Sequence, residues 1–288
     1  MLALLRSTAA SGMVASSPVP STPLMSGWPL PMMPMRLNDI LLPGETSRLL
    51  LSEDAHFHLI HAARNEHDGH FGQLLSNDRG RYERVSPLLK IVKVDLVDSG
   101  AAWVEVAAVG RLKIDSFDQN PDLQYDRASV TSYTDLPASS GPRSVGLDDW
   151  MEPSAAQLET EVLRTAHEAC CTLETRIKEF IAADKSMFTC EICPRSASCH
   201  LNRGYRFSLD TLIDARQAVL AESGAAQIQS ESQVTSFAAC SALSIKARRL
   251  ALVLKDTDAR LAHASRELKE RQLELSAELS LRAAFASR

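Results

Sequence analysis

The spacing of apolar residues changes once along this chain, and that change limits the folds open to it. Between residues 88 and 133 apolar and polar side chains alternate. Leu89, Ile91 and Val94 are interspersed with Lys90, Lys93 and Asp95. After Asp98-Ser99-Gly100, a turn signal, Trp103, Val104, Val106 and Val109 continue around Glu105. Two β-rich runs joined by a short polar turn predict a hairpin. Beyond Pro153 the period becomes helical: Leu158, Val162, Ala166, Leu173 and Ile177 fit one face of a long helix reaching Ala183. Strands followed by helices predict an α+β chain, a mostly β domain and then an α-helical bundle.

The β part is expected over residues 29–137. Pro29-Leu30-Pro31-Met32-Met33-Pro34-Met35 is apolar and broken by prolines, which cannot donate to a ladder. It reads as an edge strand or an extended entry. Leu41-Leu42-Pro43-Gly44 ends in a turn, and residues 46–51 form the next strand. Ser52-Glu53-Asp54 offers a cap and early acids for a helix over residues 53–64, which Asp68-Gly69 ends. Phe71-Gly72-Gln73-Leu74-Leu75 is a strand, and residues 76–80 are a polar turn. Gly110-Arg111 interrupts the second hairpin run before Leu112-Lys113-Ile114, and residues 130–133 make the last strand.

Residues 138–152 hold Pro, Ser, Gly and charge without a period and read as a linker to a helical part over residues 153–288. Its second and third helices are expected at residues 207–221, capped by Ser208, and at residues 236–254. Asp256-Thr257-Asp258 is a break and a fresh cap. The terminal helix then carries Leu254, Leu261, Leu268 and Leu275 seven apart. Such spacing can mean a coiled coil. The complementary positions, Thr257, Ala264 and Arg271, make a poor dimer seam, so packing within the chain is the expectation.

Charge and cysteine usage narrow the function. With 31 basic and 36 acidic side chains the net charge is −5, which argues against a general nucleic-acid binder. No run approaches the roughly 18 apolar residues that span a bilayer, so no membrane insertion is expected. Residues 1–28 are rich in Ser, Thr and Ala, with Arg6 and no acid. That composition suits a plastid or mitochondrial transit peptide; a plain disordered tail, and with it a cytoplasmic protein, is the alternative. All six cysteines lie in the second half, unlike the framework of a small secreted disulfide protein, so a reducing compartment is expected.

The sharpest local feature is Cys190-x-x-Cys193 with Cys199-His200. A C-x-x-C turn aims two thiolates at one point, and zinc needs four ligands. The metal reading puts Cys190, Cys193, Cys199 and His200, or a thiol from Cys170 or Cys171, around one structural zinc. The plainer expectation is a loop of free thiols, or a pair that oxidises, and no other cofactor is expected. His56, His58, His61, His67 and His70 crowd one region; only His58 and His61 are spaced to face one way, and solvated histidines are expected. Arg79, Arg81 and Arg84 around Tyr82 are diluted by Asp78 and Glu83, and a solvated loop is expected there.

The order of these pieces resembles the amino-terminal substrate-binding domain of Lon proteases. Residues 34–44, ending in Leu42-Pro43-Gly44, are similar to that domain's opening strand and Leu-Pro-Gly turn. The helix after Glu53, the Phe71-Gly72 strand and residues 88–94 follow in the family's order. Val109-Gly110-Arg111-Leu112-Lys113-Ile114 resembles its Gly-x-x-Arg-Phe-x-Ile signature, shortened by two residues. Ser236-Phe237-Ala238 and residues 256–261 resemble the helices of stand-alone Lon-domain proteins. Where the family has Phe-Glu-Pro-Arg-Tyr, this chain has Ser52-Glu53-Asp54-Ala55-His56, and Ser86-Pro87 replaces a small Gly pair. The resemblance implies a PUA-like β-domain and non-catalytic recognition of unfolded or partly folded polypeptides. It also leaves open an adaptor that delivers clients to a separate protease or ligase, or a PUA-like RNA or small-ligand binder. The sequence contains no G-x-x-x-x-G-K-[ST] and no G-x-S-x-G string, and nothing in it resembles the Lon protease domain, so no enzyme activity is expected.

Overall fold

The computed structural model describes residues 27–76, 79–97, 100–118, 123–136, 155–183, 207–225, 228 and 230–286. The chain is α+β, with its strands first and its helices after. Six strands form one sheet: β1 (Trp28–Arg36), β2 (Thr46–Leu51), β3 (His70–Ser76), β4 (Val85–Leu96), β5 (Ala102–Asp118) and β6 (Arg127–Ser132). The strand order is β2-β5-β4-β3-β1-β6, and β5 also pairs with β6. That extra pairing closes five strands on themselves and leaves β2 outside the ring, attached to β5 alone.

β5 makes this possible by its length. β4 runs along one of its edges, while the other edge takes β2 at Ala102–Ala107 and β6 from Leu112 onward. The expected break at Gly110-Arg111 does not occur. The strand is continuous, and a bulge between Leu88 and Leu89 of β4 puts Val109 opposite no partner. An extra residue shifts the side-chain alternation. Val104, Val106 and Ala108 therefore face one core, whereas Leu112 and Ile114 face the interior of the ring with Leu30, Met32, Ala128 and Val130.

β1 lies inside the strand order, between β3 and β6, yet its prolines sit as an edge-strand reading requires. Its first half, Trp28–Pro31, pairs with β6, and its second half, Met32–Arg36, pairs with β3. Each half is thus paired on one side only, so a proline can leave its missing N–H on the open side.

Helix α1 (Asp54–Glu66) buries Leu59, Ile60 and Ala63 on Met33, Phe71, Leu89, Val104 and Val106. It stops where Asp68 and Gly69 take left-handed φ of 50° and 76°, a region that Asp and Gly tolerate. The other helices are α2 (Ala155–Ala183), α3 (Leu209–Ser223), α4 (Glu231–Ser241), α5 (Ile245–Val253) and α6 (Thr257–Ala286). Ser208 caps α3 as expected, its side chain accepting from Thr211 N at 3.2 Å. Gly224 ends α3 with φ 66°, the usual left-handed stop.

The single helix expected at residues 236–254 is two. α4 starts earlier, at a capping box of Ser230 with Gln233. Ser244 then caps α5, accepting from Ala247 N at 3.3 Å. On α2 the buried face is Leu163, Ala166, Cys170 and Ile177, and Val162 is exposed. Leu261, Leu268 and Leu275 of α6 are fully buried in one core with these α2 residues. The seven-residue spacing is therefore used inside the chain, and each such leucine contributes about 1.5–3 kcal/mol. Ile40, Leu42, Leu75 and Val85 of the β part belong to the same core, so sheet and bundle share one seam.

Candidate functional site

Two carboxylates fasten this seam, Asp135 with its side chain buried and Glu45 partly buried. Asp135, just past β6, faces two guanidiniums. Its Oδ1 accepts from Arg111 Nη2 and from Arg260 Nη1 at 3.1 Å, and its Oδ2 from Arg260 Nη2 at 2.6 Å. Arg111 also donates to the carbonyls of Leu252 and Leu254 at 2.8 and 2.7 Å, closing the end of α5. Arg260 is fully buried, donates to Ser236 Oγ at 2.7 Å, and lies 4.0 Å from the ring centroid of Phe237. Burial works against the ionised form of Asp135, but the hydrogen bonds and charges of Arg260 and Arg111 outweigh it and hold the carboxyl below its ordinary range.

Glu45 does the same beside the Leu42-Pro43-Gly44 turn. Its Oε1 accepts from Arg216 Nη2 at 2.9 Å and Arg248 Nη1 at 3.0 Å. Its Oε2 accepts from Arg248 Nη2 at 2.6 Å and from Leu42 N at 2.7 Å. Gly44 has φ 82°, and a Cβ there would lie 2.7 Å from Cβ of Arg216. The turn needs glycine both for its backbone and for this approach. The Leu-Pro-Gly turn and Gly110-Arg111, which carry much of the sequence resemblance, are therefore where the helices grip the sheet.

Beside the Glu45 cluster the seam opens into a groove of ≈ 550 Å³. Met33, Met35 and Leu41 form its floor. The turn after α4 and the start of α5, with Leu243, Ile245 and Arg248, make one wall. The other wall is β2: all five residues from Ser47 to Leu51 line the groove. A strand seen face-on offers every second residue, so five in a row mean that β2 lies edge-on. A neighbouring cavity of ≈ 410 Å³ shares Pro34 and His56 with the groove and continues it past Leu59 towards Tyr125.

The hydrogen-bond phase of β2 follows from one contact. Ala108 N donates to Glu45 O at 2.8 Å. Bonded pairs recur every second residue in an antiparallel ladder. Ser47, Leu49 and Leu51 thus turn their main-chain groups to β5, and Thr46, Arg48 and Leu50 turn theirs to the outer edge. Among the described residues no strand lies against that edge. Leu50 is 55 % exposed there, and Ile245 across the groove 38 %.

Of the site residues expected from sequence, Cys190, Cys193, Cys199 and His200 lie outside the described residues, as do residues 1–26 and the linker at 138–152. Cys170 is buried and its Sγ donates to Leu268 O at 3.5 Å; burial pushes this thiol up to about 11. Cys171 Sγ lies 3.6 Å from His167 Nδ1 and its thiol is also pushed up by burial. Neither favours the thiolate that a metal requires. Among the described residues no three His, Cys, Asp or Glu side chains are placed to hold one ion.

The histidines are not all solvated. His58 and His61 are exposed, with His61 bonded to Asn65. His67 is buried with its ring 5.5 Å from that of Trp28, and His70 Nδ1 contacts His67 O at 3.1 Å. Burial lowers both pKa values. Arg79, Arg81 and Arg84 are exposed, and Tyr82 rests on Phe117 at 5.5 Å. No helix among the described residues is long and apolar enough to cross a membrane.

Asp135, Glu45, Arg216, Arg248 and Arg260 were not singled out by the sequence.

No protein-family model matches the sequence, and no curated protein matches it. Among solved structures, the chain is similar to the Lon N-terminal domain protein from Xanthomonas campestris, with a TM-score of 0.36 and 21 % identity over 48 % of this chain and 72 % of that one. It is also similar to the N-terminal domain of Mycobacterium avium complex Lon protease, with a TM-score of 0.45 and 15 % identity over 85 % of this chain and 98 % of that one.

Proposed function

We propose that this chain recognises unfolded or partly folded polypeptide without catalysis, and that the groove between β2 and α5 is where it does so. The observation that carries this reading is the groove itself: Met33, Met35 and Leu41 beside polar lining from Asn38, Ser47 and Arg48, exposed Leu50 and Ile245, and a wall fixed by the Glu45–Arg248 ion pair. Apolar clefts with a few fixed polar groups are the usual form of a binding site. Rigid walls lower the ordering cost of binding. The sequence resemblance to Lon substrate-binding domains points the same way.

The test is the aggregation of a chemically unfolded client, followed by light scattering with the full chain and no nucleotide. The expectation is suppression that saturates with the chain and weakens in Met35→Glu, which places a charge on the floor. Equal suppression by Met35→Glu and by the unaltered chain would contradict the groove. Binding of RNA instead of the client, with affinity falling steeply as salt rises, would replace this reading with a nucleic-acid one. A protease that co-purifies with client-loaded protein would extend it to delivery.

A further inference from the structure

The outer edge of β2 is an unusual wall for a groove floored by Met33, Met35 and Leu41. It presents the main-chain donors and acceptors of Thr46, Arg48 and Leu50 to whatever fills the space. We infer that the occupant is an extended, uncharged, apolar segment that adds to β2 as a further strand. This rests on the polypeptide-recognition reading and specifies how the segment is held.

Three observations select this occupant. A helix laid in the groove would cover the β2 edge with side chains and leave its N–H and C=O groups without water or partners, which is costly. An added strand pairs them and places every second side chain on the Met33, Met35 and Leu41 floor. The two arginines lining the groove are answered already. Arg248 is held by Glu45, and Arg48 lies 3.7 Å from Asp95 and 4.8 Å from the centroid of Trp103. A strongly acidic occupant therefore finds little to complement it. A second copy paired through β2 in antiparallel fashion would bring Arg48 close to its own mate near the centre of the six-residue strand, and like charges across a pair are destabilising. Six residues of strand span about 20 Å, so the paired stretch is about five or six residues long.

The test uses the full chain and a fluorescein-labelled eight-residue peptide in which valine alternates with serine. Two further versions carry the same side chains, one with N-methylated amides at the valines and one at the serines. In a strand these two sets of amides point to opposite edges. The expected result is that one version binds at least tenfold more weakly than the parent and the other stays within twofold. Leu50→Pro removes one outward N–H while the β5 ladder keeps its bonds, and is expected to lose tenfold in affinity with little change in melting. Should that variant fail to fold, the methylated pair on the unaltered chain still decides. If both methylated peptides bind like the parent, or weaken equally, strand addition is wrong while polypeptide recognition stands. If no peptide binds at all, the recognition reading itself falls. A chain that dimerises without peptide, and is made monomeric by Leu50→Pro, would assign the edge to a second copy and overturn the inference.

Discussion

Around Asp135 and Glu45 the sheet and the helices are joined by carboxylates that each hold two guanidiniums. A short way along the same seam, between β2 and α5, the two parts separate and leave apolar side chains and a strand edge uncovered. The two regions share Arg248, which reaches from the Glu45 cluster to the groove wall. The closed stretch fixes the distance between sheet and bundle, and the open stretch is the binding space we propose. On this proposal stability rests on the closed stretch and recognition on the open one, and the contrast can be broken from either side.

The largest effect is expected from Asp135→Ala. It strands Arg111 and Arg260, both buried, without a counter-charge, and such removals cost about 3–5 kcal/mol. Chemical denaturation should show the loss, and the sheet and bundle should no longer unfold as one unit. Gly44→Ala comes next. A left-handed alanine costs about 1–2 kcal/mol before the contact with Arg216 is counted, and the melting temperature should fall accordingly.

Acid should act more gently. His67 and His70 are neutral in the fold, with pKa values lowered below 6.5 by burial. The unfolded chain therefore takes up protons first. Their contribution is full above about pH 6.5 and is lost as pH falls through the lowered folded values. Denaturation midpoints measured from pH 7.5 to 5 should fall, and less so in His67→Phe. Asp135 adds a second loss at lower pH, since its depressed carboxyl contributes above the ordinary aspartate range and is lost as pH drops through its folded value. The smallest stability effect is expected at the open end: Leu50→Asp should change unfolding by no more than about 0.5 kcal/mol, yet reduce binding of an apolar peptide several-fold.

The alternation at the start of β5 was legible because Ala102, Val104 and Val106 are buried there while Glu105 is exposed; from Val106 to Leu112 every residue is buried, and the period fades. Ser208, Gly44 and Asp68-Gly69 were legible for a similar reason, since each satisfies a local backbone demand. The split at Ala242-Leu243-Ser244 was missed because Ala and Leu continue a helical pattern, although Ser244 was there to be read as a cap. The buried arginines were missed because a charge on a helix is ordinarily solvated, and only the distant Glu45 and Asp135 make Arg216 and Arg260 internal. The groove was illegible for the same reason of distance: Met35, Leu49 and Ile245 meet only through the closed parts of the seam.

The most direct measurement is amide hydrogen exchange of the full chain with and without the alternating valine peptide. Strand addition predicts that the outward amides of Arg48 and Leu50 exchange fast in the free chain and slow markedly on binding, with the start of α5 also protected and the residues around Asp135 unchanged. Protection confined to α2 and α6, with Arg48 and Leu50 still exchanging fast, would contradict the account.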